Sequence, residues 1–250
     1  MVISKLPAIL KICFRPPAGT SWTAGGDVSE FYGSWSFTIY RTAYGPGTDA
    51  QWRTLLDKIR AQDVFEIECY LEAGEEDVAA QLKSLFVLDA RSDAALLANK
   101  TMEEVREIYK QAVVASRRSA AGRDTLNSKS LSRSLPLMHD SLNQRALLLA
   151  DAEVLEGVGR DPYFWVKCVE ADLAKENSAP AAHGGSHRAA VGPWSGWMKM
   201  TTRSVVDLCA EMPVRDLASI APGARAADEM PMYNGELTGS SLTSKMSSGN

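Results

Sequence analysis

Residues 35–88 change hydrophobic period twice, and this change constrains the fold more than any other feature of the chain. In SWSFTIYR, apolar side chains at alternate positions predict a β-strand. Over residues 52–59 they recur at i, i+3, i+4 and i+7, which predicts an amphipathic helix. The apolar run LFVL at 85–88 predicts a second strand, covered on both faces. Because such units cross over right-handed, we expect the two strands to be parallel neighbours.

Two helix starts are indicated by capping boxes, in which a Thr side chain and an acidic or amide side chain three residues later satisfy free backbone groups. Thr48 with Gln51 predicts the start of the first helix, and Thr101 with Glu104 predicts the start of another.

The second half of the chain is richer in strand-like runs. ALLLADAEVL at 146–155 and YFWVKCVEAD at 163–172 flank the turn sequence EGVGRDP, which predicts a β-hairpin. WMKMTT at 197–202 predicts a further strand, and helical periodicity returns over 204–212.

The resulting order is strand, helix, strand, helix, three strands and a helix, which favours the α+β class. We expect a mixed or antiparallel sheet with helices on one face, in a ferredoxin-like arrangement with an added hairpin. A doubly wound α/β sheet is the alternative.

The length of 250 residues suits a single domain with appendages. Residues 1–30 are predicted to be an N-terminal extension, and 31–212 a single α+β domain. Ser-rich basic composition at 116–145 and Gly-rich composition at 176–196 predict flexible insertions. Residues 213–250 lack periodicity, which predicts a disordered tail.

The net charge of −4 argues against a nucleic-acid partner, which a basic surface would recruit. No segment reaches the ~18 apolar residues of a membrane span, and the broken apolar start does not resemble a signal peptide. We therefore expect a soluble, cytoplasmic protein that does not associate with membranes.

Metal and cofactor motifs are not found in the sequence. The four cysteines lie far apart without a CxxC pair, and the apolar surroundings of Cys168 and Cys209 predict buried, reduced thiols. His183 and His187 have ligand-like spacing, but the two glycines between them disfavour a helix, so no metal is expected. Phosphate-binding and nucleophile motifs are missing, which leaves the cofactor unknown.

Several segments carry a resemblance to known sequences. The chain resembles a group of hypothetical proteins from filamentous fungi over about residues 31–212, excluding both insertions, through WSFTIYRTAYGPGTDAQWRTLLDKI, LFVLDARSDAALL, TMEEVREIY, LLLADAEVL, FWVKCVEAD and GWMKMTTRSVVDL. The group carries no assigned activity, so the resemblance implies a fungal intracellular protein and no catalytic residues.

A first candidate site follows the two parallel strands. Arg41 ends the first strand, and Asp89, Arg91 and Asp93 follow the second. Because ligands tend to bind at the carboxyl ends of parallel strands, we expect these charges to converge on a polar ligand. The alternative is that an arginine pairs with Asp89 and that Asp93 caps the next helix.

A second candidate site lies on the predicted hairpin and the strand after it. Period-two alternation places Asp151 and Glu153 on one side of their strand, while Lys167 and Lys199 occupy the next two strands. Two carboxylates held close together can split their pKa values, so that one acts as an acid and the other as a base. A desolvated lysine beside them can act as a base or a nucleophile. The alternative is a set of cross-strand salt bridges.

No catalytic signature stands out, so the sequence favours a noncatalytic interaction or ligand-binding module with a small-molecule or protein partner. Trp22, Trp194 and Trp197 lie in or beside predicted loops, where their large rings could anchor such a partner. The alternative is a small-molecule enzyme with a charged site at the strand ends. Oligomeric state is not indicated.

Overall fold

The computed structural model describes residues 5–14, 16, 31–121, 145–172, 194–222 and 232–235. The helices are α1 (Lys5–Cys13), α2 (Thr48–Cys69), α3 (Glu76–Leu85), α4 (Ala94–Leu97), α5 (Met102–Ala121), α6 (Ala152–Gly157), α7 (Val205–Glu211) and α8 (Leu217–Ile220). The strands are β1 (Thr38–Arg41), β2 (Asp89–Arg91), β3 (Ala146–Ala150), β4 (Trp165–Glu170), β5 (Trp197–Thr201) and β6 (Met232–Tyr233). A 3₁₀ turn at Thr202–Ser204 joins β5 to α7.

The strands form one mixed sheet in the order β2-β1-β3-β4-β5-β6. β1 is parallel to β2 and to β3, whereas β4 is antiparallel to β3 and to β5. The predicted α+β class and the parallel pairing of the first two strands are confirmed. The ferredoxin-like arrangement is not confirmed, because β2, β1 and β3 are three parallel neighbours.

Helices cover both faces of the sheet, so the prediction that they cover one face is wrong. Neighbouring strand residues point to opposite faces, and Ile39 and Tyr40 accordingly belong to two separate apolar clusters. One cluster includes α1, α2, α3 and α7, while the other contains Val105 and Tyr109 of α5. The physical reason is that β1 and β3 are buried along their whole length and need apolar cover on both sides.

Two local predictions at the first crossover are wrong. LFVL is not a strand: α3 extends to Leu85, only Phe86 forms an isolated bridge, and β2 begins at Asp89. A short apolar run suits a buried helix end as well as a strand, so periodicity could not separate them. The Thr48 capping box is also not formed, because the N-cap of α2 is Gly47 and no side chain caps this helix start.

The second capping box is confirmed. The backbone N–H of Glu104 donates to Thr101 Oγ1 over 3.2 Å, and the N–H of Thr101 donates to Glu104 Oε2 over 2.8 Å. These two bonds fix the first turn of α5, the helix that covers the second face of the sheet.

The predicted hairpin is interrupted by a helix. β3 and β4 are antiparallel as expected, with Leu149 opposite Lys167. Residues 151–155 were predicted to continue the strand, but Asp151 ends it by accepting a hydrogen bond from the Val154 N–H, and α6 begins. Asp, Ser and Asn side chains favour such helix starts over strand interiors.

Both ends of the chain contribute to the fold. α1 buries Leu6, Ile9 and Leu10 in the core, so residues 5–13 are not an appendage. β6 pairs with β5, and α8 packs through Leu217 and Ile220, so the prediction of a disordered tail is wrong for these residues.

The two predicted insertions are described in part. α5 continues to Ala121, so the first insertion starts as helix. Residues 122–144 and 173–193 lie outside the described residues. Within the described part of the chain, no helix is long and apolar enough to cross a membrane.

Candidate functional site

The first predicted site consists of Arg41, Asp89, Arg91 and Asp93, here called the β1–β2 charges. Thr38, not Arg41, is the β1 residue opposite Asp89, so Arg41 lies three residues further along the strand. Arg91 pairs with Asp89 instead, with 2.8 Å between Nε and Oδ1, and Thr38 Oγ1 also donates to this carboxylate over 3.1 Å. Asp89 and Arg91 therefore satisfy each other.

Arg41 and Asp93 are also used locally. The Arg41 guanidinium contacts Asp49 at 2.7 Å and donates to Thr48 Oγ1 over 2.7 Å, which holds the start of α2 against the end of β1. Asp93 accepts from the Ala95 N–H over 2.9 Å as the N-cap of α4. The β1–β2 charges thus form three separate structural contacts and no shared site.

The second predicted site does come together. Asp151, Glu153, Lys167 and Lys199, here called the lysine network, form a continuous chain of ion pairs. Lys167 Nζ lies 2.6 Å from Asp151 Oδ2 and 2.7 Å from Glu153 Oε2. Lys199 Nζ lies 2.7 Å from the other Glu153 oxygen. One carboxylate therefore bridges two lysines.

Strand register and a helix start produce this arrangement. Lys167 lies opposite Leu149 in β3 and opposite Lys199 in β5, so the two ammonium groups are cross-strand neighbours on one face. Like charges in such positions repel. Because α6 begins directly after β3, it carries Glu153 over this pair, where its carboxylate neutralises the repulsion.

Two tryptophans enclose the lysines. The Lys167 ammonium lies 5.0 Å from the ring centroid of Trp197, and that of Lys199 lies 4.3 Å from the ring of Trp165. Cation–π contacts of this kind stabilise an ammonium that has left part of its water. The Trp165 indole N–H in turn donates to Asp161 Oδ2 over 2.8 Å.

The electrostatics keep these groups charged. Burial by itself would lower the pKa of Lys167, but hydrogen bonds to Asp151 and Glu153 outweigh it and raise that pKa. Burial would likewise raise the pKa of Glu153, but hydrogen bonds from Lys167 and Lys199 lower it. Both shifts favour the charged forms of Lys167 and Glu153 at neutral pH.

A cleft of about 470 Å³ opens beside the lysine network. Glu153 and Glu156 of α6 and Lys199 of β5 form part of its wall, and the segment after α6 supplies Arg160 and Tyr163. The Tyr163 side chain is exposed, and Met232 of β6 closes part of the rim. None of the β1–β2 charges lines this cleft.

Sequence reasoning treated the residues after α6 as a hairpin turn and missed their contribution to the cleft. The signal was present in EGVGRDPY, which places three charges and a tyrosine in a connection between buried strands. Such connections carry binding residues more often than strands do. Met232 could not be found, because it lies in the tail predicted to be disordered.

Two cleft side chains remain available to a ligand. In the part of the chain that the structure describes, neither the Arg160 guanidinium nor the Glu156 carboxylate has an ion pair or hydrogen bond. Gly157 leaves room for the neighbouring Asp161, because a Cβ at this position would lie 2.4 Å from Asp161 Oδ2.

Metal binding gains no support from the described residues, where no three His, Cys, Asp or Glu side chains are grouped to hold an ion. His183 and His187 lie outside the described residues.

The chain matches no family model, no curated protein and no solved structure. The resemblance to a fungal group stays a prediction, and function has to be argued from the geometry of the cleft.

Proposed function

We propose that this protein is a noncatalytic binding module and that its cleft takes a small molecule carrying a carboxylate or phosphate group. The observation that carries the proposal is the contrast within the cleft wall. Lys199 and Glu153 are locked into the lysine network, while Arg160 is unpaired within the described structure.

Arg160 supplies the recognition element. A guanidinium offers a planar fork of donors that matches a carboxylate or phosphate with two parallel hydrogen bonds. The exposed ring of Tyr163 and the thioether of Met232 provide apolar surface beside it for the body of the ligand. Because ion pairs already hold Lys199 and Glu153 in the cleft wall, these side chains lose little conformational entropy when a ligand binds.

The pKa shifts favour binding over catalysis. A lysine that acts as a nucleophile or base needs a lowered pKa, and a carboxylic acid that donates a proton needs a raised one. Lys167 and Glu153 are shifted in the opposite directions. The small-molecule enzyme that the sequence leaves as an alternative would need its acid or base elsewhere in the cleft.

A screen of small carboxylates and organic phosphates by thermal shift, followed by calorimetry, tests the proposal. Arg160→Ala should weaken the binding of a hit about tenfold or more, since a hydrogen bond to a charged group contributes about 1.5–3 kcal/mol. Arg91→Ala is the matched control, because Arg91 is a similarly exposed arginine outside the cleft, and it should leave the affinity unchanged.

Equal affinities of the wild type and Arg160→Ala would contradict the proposed site. Chemical conversion of the hit during incubation, detected by mass spectrometry, would contradict the noncatalytic assignment and favour the enzyme.

The proposal also includes a cytoplasmic location and a fungal origin. All four cysteines are free, and three of them are buried, which suits a reducing compartment. The segments named in the sequence support the fungal group. Fractionation of cells that express the tagged protein tests the location.

A further inference from the structure

α2 buries a carboxyl group that no other group among the described residues satisfies. Asp63 occupies a core position of this helix, between Ile59 and Ile67, and its exposure is 0%. Within the part of the chain that the structure describes, neither of its oxygens has a hydrogen-bond partner. Buried polar atoms without partners are rare in folded proteins, and a buried ionised carboxylate without a counter-ion is among the most unfavourable groups known.

The other carboxylates around the buried end of α2 are all paired one to one with a cation. The pairs are Asp207 with Lys5 at 2.5 Å, Glu66 with Arg203 at 3.4 Å, and Glu211 with Arg215 at 3.0 Å. Two tyrosines add hydrogen bonds, Tyr70 to Asp207 and Tyr233 to Glu211. Three cations therefore pair with three carboxylates, and no cation of the described residues pairs with Asp63.

The groups that reach Asp63 electrostatically make ionisation harder. Burial raises the pKa of Asp63 well above its usual value, and the charge of Glu66 on the same helix raises it further. On α7, the buried Cys209 thiol has a raised pKa because of burial and then of Asp63, which places the two groups close together. On the remaining elements packed on α2, the cation Lys83 of α3 is paired with Glu68, and Glu153 of α6 is paired with two lysines.

We propose that Asp63 is a proton-operated clamp: α2 packs against α7 with Asp63 neutral, and ionisation of this carboxyl loosens that contact. The clamp depends on the burial of the unpaired Asp63 carboxyl and not on a ligand in the cleft.

The sign follows from linkage. The unfolded chain loses the Asp63 proton near the ordinary aspartate pKa, whereas the folded protein keeps it to a higher pH. Between these two pKa values the folded state becomes less stable as pH rises. Above the pKa of Asp63 in the folded protein, the loss of folding stability is complete and no longer changes with pH.

Urea unfolding of the wild type and of Asp63→Asn, from about pH 5 to about pH 8, tests the clamp. Asn is nearly isosteric and does not titrate. The wild type should lose stability relative to this variant as pH rises, by up to about tenfold in the unfolding equilibrium constant per pH unit. Hydrogen exchange of the α7 amides should accelerate over the same range in the wild type only.

Asp57→Asn is the matched control, because Asp57 is the corresponding residue type on the exposed side of α2, with a side chain 79% exposed. Its stability difference from the wild type should stay flat over this pH range. Should Asp63→Asn fail to fold, Asp63→Leu replaces it, and the carboxyl ¹³C shift of Asp63 in the wild type reports ionisation directly. A pH-independent difference, or an Asp63 carboxyl already ionised at about pH 5, would overturn the clamp.

Discussion

The β1–β2 charges and the lysine network both lie on or directly after strands of the same sheet, yet their side chains make different kinds of contact. Arg91 reaches back two residues to Asp89, whereas Lys199 meets Glu153 across 46 residues of chain. The first group closes short local contacts. The second joins β4, β5 and the start of α6 beside a cleft.

The difference shows that a charged side chain of the sheet joins a larger network only when residues close to it in sequence leave it without a partner. Asp93 accepts a hydrogen bond from the backbone N–H of Ala95, two residues away, and is satisfied by this local contact. Lys167 lies between the apolar Val166 and Cys168, and the carboxylates that it contacts, Asp151 and Glu153, lie at the start of α6.

The largest expected effect comes from removing Lys167. Lys167→Met leaves Asp151 and Glu153 without their shared cation, and its side chain is only 10% exposed. Breaking a buried pair typically costs 3–5 kcal/mol, and the half-exposed Glu153 reduces this here to about 2–3 kcal/mol. Urea unfolding at neutral pH measures it.

Arg91→Met provides the comparison. Its partner Asp89 keeps a hydrogen bond from Thr38, and the arginine side chain is 49% exposed. We expect a loss below about 1 kcal/mol. Equal losses in the two variants would erase the contrast between the two groups of charges.

The next effect separates two helix caps that differ in one contact. Asp151→Asn and Asp93→Asn both keep a side-chain oxygen for the cap, since Asn is as good an N-cap as Asp. Asp151→Asn also loses the charged partner of Lys167, so it should destabilise the protein by about 1–2 kcal/mol. Asp93→Asn should stay within about 0.5 kcal/mol, and the opposite order would contradict the network.

A smaller effect depends on pH. Because its pKa is lowered in the folded protein, Glu153 contributes stability that is present above its unfolded pKa and is lost as pH falls through the folded one. Glu153→Gln should therefore destabilise the protein at neutral pH, by less than about 1 kcal/mol since this side chain is half exposed. The difference should shrink below about pH 4.5, as measured by urea unfolding. A constant difference down to strongly acidic pH would contradict the ionised network.

The smallest effect on stability concerns the floor of the cleft. A Cβ in Gly157→Ala would approach Asp161 Oδ2 within 2.4 Å and displace it from the Trp165 indole N–H. Asp161 is exposed and can turn away, so the loss should stay below about 1 kcal/mol. Tryptophan fluorescence should nevertheless change, because Trp165 loses its only charged hydrogen-bond partner among the described residues. An unchanged spectrum would show that this contact does not form.

Much of the sheet could be predicted from the sequence, because period-two and period-3.6 patterns report burial directly. β1, α2, α5 and α7 lie where those patterns place them. Helices on both faces were missed, since the pattern of α5 shows that it is amphipathic but not which side of the sheet it covers.

The candidate site was predictable only in part. The strand pattern places Glu153 on the same face of the sheet as the lysines and so predicts the lysine network. In the structure Glu153 reaches the lysines from α6 and not from a strand. Asp63 was passed over because helical periodicity treats a lone acidic residue in a core stripe as solvated. Only tertiary packing shows that this carboxyl is buried and alone.

The most direct test of the central claim is amide chemical-shift mapping of the ¹⁵N-labelled protein with a small carboxylate hit. If the cleft beside the lysine network is the site, shifts should concentrate at residues 153–165 and 197–201 and disappear in Arg160→Ala. Shifts that concentrate at 38–49 and 89–93 instead would place the ligand at the β1–β2 charges and contradict the account.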